Sequence, residues 1–393
     1  MTTHSTASWA AAFRSAVISS HESIDLFELR GFADQTLRQI IRLDGGGSAV
    51  RIRLSNRYGK EPLHIGGARL AIRTEGSGIE SGSDTPLRVG GAEEFTIPVG
   101  EDAVTDPVER AVAAGDELAV SLWLPEDTGL STYSAVPLRT GYAVPGNALS
   151  APAFDGVEGL EELVTRHFIS GADVLAPAGT AIAVAFGDSW FEGTGTTTDT
   201  DRRFPDLLND RLREAGSTGW VVNQGLSANR LLTDEIGEHA LARLQRDALD
   251  VPGVTHVLVH FGLNDLGIPG QEAYPETAPV PTAAELIAGF TALADRLHAA
   301  GLTAIATTVG PYKDTVFEGY STPEGVAVAR EVNDWIRGAD SPFDAYADLA
   351  AAVADPADPD RIHDDYDSGD GLHVNDAGAQ ALADAVDLAT LAL

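Results

Sequence analysis

The spacing of apolar side chains along the chain changes character near residue 175. Before that point the pattern has a period of two. Val50, Ile52 and Leu54 alternate with Arg51 and Arg53, which predicts a half-buried strand with a polar outer face. Residues 37–43 form a second such run. Between the two lies Asp44-Gly45-Gly46-Gly47-Ser48, a turn-forming cluster, so the pair is expected to close as a hairpin. Further short strands are expected at 63–72, 95–99 and 118–124, separated by Gly, Pro and Asp clusters. This pattern predicts an antiparallel β-sandwich. Residues 1 to about 20, rich in Ala and Ser, read as a short helix or a loose arm, and β character begins near residue 24. Residues 145–178 carry Pro145, Gly146, Pro152 and Pro177 around a short strand-like Phe168-Ile169, and read as a connector.

After the change, apolar strands alternate with amphipathic helices. Ala181 to Phe186 is an apolar run that enters Gly187-Asp188-Ser189-Trp190, as a strand buried on both faces does. Phe204, Leu207, Leu208 and Leu212 keep helical spacing. Val221-Val222-Asn223 ends a short strand, and residues 256–261 form another. Leu286, Phe290, Leu293 and Leu297 mark one face of a helix stopped by Gly301, and 302–309 is a further buried strand. Residues 323–337 and 375–392 read as helices. Such alternation predicts a parallel sheet covered on both faces. Two domains follow: 1–175, a β-sandwich with its connector, and 176–393, an α/β domain.

Composition narrows the chemistry. The 393 residues include no cysteine, which excludes disulfides, thiolate catalysis and cysteine-based zinc sites. The formal net charge is -33, from 59 acidic and 26 basic residues. That field repels nucleic acid and anionic membranes and favours neutral or cationic small substrates. No apolar run has the length of a membrane span. Residues 1–20 have no basic side chain before Arg14 and no long apolar core. A cytoplasmic location is therefore the expectation, and secretion the alternative had a signal been removed.

Four polar clusters fall at predicted strand ends of the second half: Gly187-Asp188-Ser189, Asn223-Gln224-Gly225, Gly262-Leu263-Asn264-Asp265, and Asp370-Gly371-Leu372-His373. Strand ends of one parallel sheet share an edge, where ligands bind. A serine hydroxyl attacks a carbonyl only when a base takes its proton, and His373 can be that base. Asp370, three residues earlier, can hold its tautomer and stabilise the imidazolium. The backbone N–H of Ser189, the backbone N–H of Gly225 and the side-chain amide of Asn264 are the expected oxyanion donors. Trp190 and Asn229 are candidates for the pocket wall. Each residue has a plainer role when taken alone: His373 on the surface, Asn264 as a helix cap, Gly225 in a turn. Their occurrence together, in this order, is what points to catalysis. Asp188 fits a structural role, accepting local backbone hydrogen bonds, and His256 and His260 read as core or sheet-face residues.

Other chemistries fit less well. The G-x-S-x-G elbow fails because Phe191 replaces the second glycine. Gly193-Thr194-Gly195 lacks both the Rossmann spacing and a P-loop lysine. The Asp-rich stretch 355–370 fails the EF-hand pattern, since Asp370 stands where the loop needs glycine. A carboxylate-pair glycosidase would leave Ser189, Asn264 and His373 without roles.

With these clusters in hand, residues 180 to 393 resemble the SGNH hydrolases, also called GDSL-type esterases and lipases. The residues of the family's name are matched in order by Ser189, Gly225, Asn264 and His373, and its final D-x-x-H by Asp370–His373. The resemblance implies a three-layer α/β/α, flavodoxin-like domain that hydrolyses carboxylic esters without a metal or other cofactor. The β-rich first half looks like the N-terminal region of larger bacterial members. Trp190 stands where many members have leucine or isoleucine, and Ala228 where a small glycine often ends the second cluster. The substrate implied is a short-chain acyl ester, such as an acetyl ester, of a small molecule or carbohydrate. The alternatives are an inactive carbohydrate-binding protein on the same fold, or an acyltransferase using the same site.

Overall fold

The computed structural model describes residues 7–22, 29–271 and 279–393. The chain divides into two compact units, Met1–Thr180 and Ala181–Leu393.

The first unit is antiparallel β, as its period-two pattern requires. A four-stranded sheet runs in the order Ser8–Arg14, Ile169–Ala176, Val50–Ser55, Asp102–Val104. A six-stranded sheet runs in the order Glu161–Leu163, Gly141–Pro145, Gln35–Arg42, Glu117–Leu124, Gly67–Ile72, Thr85–Leu87. On one face of the second sheet Ile40, Ala119, Tyr142 and Val144 pack with Phe154. Arg38 lies on that face and stacks over the Phe154 ring at 4.2 Å, its guanidinium satisfied by Ser121 and by the carbonyls of Ser77 and Ala151.

Three local expectations are corrected here. The runs at 37–43 and 50–54 do not form a hairpin: one pairs with Glu117–Leu124, the other with Ile169–Ala176, in different sheets. The glycine-rich segment between them bonds outward, Gly47 N–H to Val112 and Ser48 N–H to Leu175, so it carries the chain from one sheet to the other. Nor is the N-terminal stretch a helix or an arm. Ser8–Arg14 is a strand paired with Ile169–Ala176, and residues 1–6 and 23–28 lie outside the described residues. The stretch read as a connector supplies that same Ile169–Ala176, an inner strand of the sheet. Local sequence concealed it because its partners lie more than a hundred residues away.

Arg51 and Arg53 are polar for a reason beyond solvation. Asp173, fully buried, pairs with Arg51 (2.9 Å), Arg53 (2.8 Å) and Arg14 (2.5 Å). Burial pushes the Asp173 carboxyl up, but Arg14 and then Arg53 hold it below the usual carboxylate range.

In the second unit five parallel strands form one sheet: β1 (Ile182–Gly187), β2 (Trp220–Gly225), β3 (Val254–His260), β4 (Thr303–Thr307) and β5 (Ala345–Ala347). Their order is β2-β1-β3-β4-β5, the flavodoxin-like order. All six residues of β1 are buried, as an apolar run between two neighbours should be. The helices that matter below are α1 (Ser189–Glu192), α2 (Phe204–Glu214), α3 (Ala240–Leu244), α4 (Leu263–Gly267), α5 (Ala283–Ala299), α6 (Pro323–Arg337) and α7 (Asp376–Asp384). The start of α5 is set by a capping box between Thr282 and Glu285, and its apolar stripe is buried. Helix α2 packs with α7, and α5 with α6. The single helix expected at 375–392 is two, α7 and Leu388–Leu391, with Val386 buried between them. Chain order reverses around β1, so the crevice beyond β1 and β3 is where an α/β sheet binds ligands. Among the described residues, no helix is long and apolar enough to cross a membrane.

Removing the shared carboxylate would leave three guanidiniums facing one another. Asp173→Ala should therefore destabilise the protein by about 3–5 kcal/mol, the usual cost of breaking a buried ion pair. Chemical denaturation checks this, and a loss below about 0.5 kcal/mol, typical of an unimportant surface site, would show that the cluster does not hold the sheet.

Candidate active site

Ser189 is the first residue of α1, the single helical turn that begins where β1 ends. The Asp188 side chain caps that turn by accepting the Trp190 N–H at 3.1 Å. The Ser189 side chain is thereby set at the sheet edge. Its Oγ lies 3.0 Å from Nε2 of His373, and His373 Nδ1 lies 2.6 Å from Asp370 Oδ2. The other carboxylate oxygen, Asp370 Oδ1, accepts the backbone N–H groups of Leu372 and His373. An anionic carboxylate requires a proton on Nδ1, which leaves the Nε2 lone pair for the serine proton. Burial pushes Asp370 up, yet the hydrogen bond and charge of His373 and the two backbone N–H groups outweigh it, and Asp370 sits at about 2. The three side chains thus form a continuous hydrogen-bonded chain across 184 residues of sequence.

The loop bearing Asp370 and His373 is pinned from two sides. Trp190 donates its indole N–H to the Leu372 carbonyl at 2.9 Å. Thr315 Oγ and the Val316 N–H both donate to the Asp370 carbonyl.

Further polar groups stand on the segments that follow β1, β2 and β3. The Asn264 amide gives one hydrogen to the Asn229 carbonyl at 3.1 Å, and its Oδ1 accepts from the Tyr320 hydroxyl at 2.9 Å. One Asn264 N–H remains. Among the described residues, the backbone N–H groups of Ser189 and Ala228 also have no acceptor. Asp265, next to Asn264, is fully buried and accepts the N–H groups of Leu231 and Leu232, which joins α4 to the loop after β2.

The family model described as "GDSL-like Lipase/Acylhydrolase family" matches residues 185–381, half of the chain and all of this site. The chain belongs to that family. No curated protein matches this member. Among solved structures, its fold is similar to a GDSL-like lipase from Bacteroides thetaiotaomicron at 14% identity, covering 54% of this chain and 88% of the other, TM-score 0.41. It is also similar to the Mycobacterium smegmatis aryl esterase (19%, 52% and 94%, TM-score 0.40). A third is Est24, a carbohydrate acetylesterase from Sinorhizobium meliloti (16%, 52% and 94%, TM-score 0.40).

Three assignments read from the sequence are corrected in this GDSL-like domain. The Gly225 N–H is not free: it donates to Asn223 Oδ1 at 2.8 Å. Glycine is needed at 225 for packing, because a Cβ there would lie 2.1 Å from the Glu192 nitrogen of α1. Trp190 is only 1% exposed and stacks on His260, so it braces the triad loop from below rather than lining a pocket. Asn229 is 0% exposed; its amide binds the Ile236 and Glu238 carbonyls and accepts from Arg243. Ala228 was not among the donors expected from the sequence, and its N–H has no acceptor among the described residues. It has φ +61, a left-handed conformation that favours glycine, and the signal in the sequence was that Ala228 stands where family members often carry glycine. Among the described residues no group of three or more His, Asp or Glu side chains is placed to hold a metal ion.

Next to Ser189, Asp188 is fully buried with Oδ2 unpartnered. His260 Nε2 is also unpartnered and lies 3.8 Å from Asp188 Oδ1. Burial pushes Asp188 up to about 8 and His260 down to about 3, so near neutrality both are uncharged. A raised carboxyl binds a proton in the native state that the unfolded chain, near 3.8, has already released. Its contribution to stability is full below the unfolded value and is lost as pH rises through about 8. Asp188→Asn, neutral at every pH, should flatten the fall in Tm between pH 5 and 8 measured by calorimetry. Parallel curves for the two proteins would show that Asp188 does not titrate in that window.

Proposed function

We propose that this protein is a serine esterase that hydrolyses carboxylic esters through an acyl-enzyme. The observation that carries the reading is the Ser189–His373–Asp370 chain at 3.0 and 2.6 Å, in which an ionised Asp370 selects the tautomer that base catalysis requires. Ser189 Oγ attacks the ester carbonyl as His373 Nε2 takes its proton. The carbonyl π electrons move to the oxygen, and the Ser189 N–H, the Ala228 N–H and the remaining Asn264 N–H receive that charge. Collapse of the tetrahedral intermediate expels the alkoxide, which His373 protonates. Water then gives its proton to His373 and attacks the acyl-serine, releasing the acid and restoring Ser189. A short, neutral acyl group such as acetyl, on a small alcohol or a carbohydrate, suits the strongly acidic surface. An inactive binding protein has no need of a fully hydrogen-bonded triad beside unpaired N–H donors, which are costly to leave in a recess.

Hydrolysis of a p-nitrophenyl ester series, acetate to decanoate, tests this. Wild-type protein should act best on the shorter esters, and Ser189→Ala should lose on the order of 10⁴-fold or more in kcat. A folded wild-type protein inert on the whole series would overturn the esterase reading and favour the binding protein.

The pH profile is a second check. Asp370, at about 2, stays a carboxylate throughout the range in which a histidine base works. The acid-side fall of kcat/KM should therefore follow a single proton, taken up by the imidazole, and activity should rise with pH. Activity that does not fall on acidification while the protein stays folded would remove His373 as the base.

A further inference from the structure

An asparagine that serves an oxyanion has a geometric difficulty. Its amide can turn about the last side-chain bond, and the carbonyl end of the same group would repel the charge that the N–H end attracts. The amide must therefore be held by partners that suit one orientation only. The Asn229 carbonyl is one such partner, since it can only accept and so selects the NH₂ end. It leaves the amide free to swing about that one bond. The second partner is Tyr320, whose hydroxyl donates to Oδ1 at 2.9 Å.

Several features bring Tyr320 there. Asn264 and Gly267 are three residues apart and share a face of α4. The Tyr320 ring lies against that face. A Cβ at Gly267 would fall 2.2 Å from the ring, so only glycine admits it. Tyr312 packs edge-on at 5.9 Å, and Phe317 packs at a tilt at 6.3 Å. The residue is 4% exposed. Burial, with the nearby Asp188 carboxyl, pushes its phenol well above the usual range, so it remains a neutral donor. The segment that carries it also supplies Thr315 and Val316, which hold the Asp370 carbonyl.

We infer that Tyr320 is a positioning residue of the reaction: its hydroxyl, bonded to Asn264 Oδ1, holds the Asn264 amide so that its remaining N–H meets the oxyanion. The inference rests on the esterase reading above. A hydrogen bond received at Oδ1 also polarises the amide and strengthens its N–H as a donor. The contribution appears only as charge develops on the substrate oxygen, so it belongs to kcat and not to ground-state binding.

A double-mutant cycle on p-nitrophenyl acetate tests this, with wild type, Tyr320→Phe, Asn264→Ala and the double variant measured alongside Ser189→Ala. Tyr320→Phe keeps the ring and should lower kcat by about 10- to 50-fold, less than the 10²–10³-fold expected for loss of the whole donor, with KM nearly unchanged. In the Asn264→Ala background the same change should cost less than about twofold, because no amide is left to orient. An equal loss in both backgrounds would assign Tyr320 a structural role and overturn the inference. So would an unchanged kcat in Tyr320→Phe beside a large loss in Asn264→Ala. A wild type without turnover would instead overturn the esterase reading, and this inference with it. Should Tyr320→Phe melt far below the wild type, 3-fluorotyrosine at position 320 serves in its place. It keeps the shape and strengthens the donor, so kcat should rise without a change in KM, and no change would overturn the inference.

Discussion

Two adjacent strands, β1 and β2, stop side by side, and carbonyls at their ends need partners once the ladder runs out. Arg243 pairs them. Its guanidinium, fully buried, donates to the Gly187 carbonyl at 2.7 Å and the Gln224 carbonyl at 3.1 Å. It donates also to Asn229 Oδ1 and to Asp247, and stacks over the Phe186 ring at 4.3 Å. A cation is tolerated in such a place only when its donors are used and a counter-charge is near, and both conditions are met. Two residues past the Gly187 carbonyl stands Ser189, and four past the Gln224 carbonyl stands Ala228. The strand ends that lead to Ser189 and Ala228 are therefore tied together by one rigid, planar group.

Around that anchor the polar groups of the site divide into those that are satisfied and those that are not. The carboxylate of Asp370, the Nδ1 of His373, the carbonyl end of Asn264 and the carboxylate of Asp265 are all bonded within the chain. The backbone N–H groups of Ser189 and Ala228 and one Asn264 N–H are left open among the described residues, and Ala228 adds backbone strain to its loop. A protein that only needed to fold would close these groups on one another. Keeping them apart takes rigid supports: Trp190 under the triad loop, Tyr320 beside Asn264, Arg243 beneath the strand ends.

The charge of the chain follows a related logic. Acidic residues exceed basic ones by more than two to one, yet Arg14, Arg38, Arg166, Arg230 and Arg243 are among the buried residues. Each neutralises or satisfies something inside, such as the Asp173 carboxylate in the first unit or the carbonyl ends of β1 and β2 in the second. Arginine suits this work because its planar fork spreads several donors over fixed directions. Buried acidic residues, Asp173, Asp247 and Asp265 among them, accompany these arginines, so the excess of acidic side chains remains on the outside.

The sequence by itself determined the class of each unit and named side chains that meet at one sheet edge. Period-two and strand–helix patterns reflect which faces are buried, a local property written residue by residue, so antiparallel β followed by parallel α/β was legible. Ser189, Asn264, Asp370 and His373 could be named because their side chains have few other reasons to recur in that order at strand ends. What only the tertiary structure decided was pairing across distance. The glycine-rich segment after residue 43 is an ordinary hairpin turn to local eyes, yet its flanking strands find partners in separate sheets. Residues 169–176 resembled a linker because the strands that bury them lie at 8–14 and 50–55. Gly225 was the natural oxyanion donor until Asn223 took its N–H and α1 closed over it, and Trp190 and Asn229 seemed to be pocket residues until burial made them supports. Which N–H stays open, and which side chain stands behind it, depends on contacts between segments remote in sequence, and no local pattern encodes those.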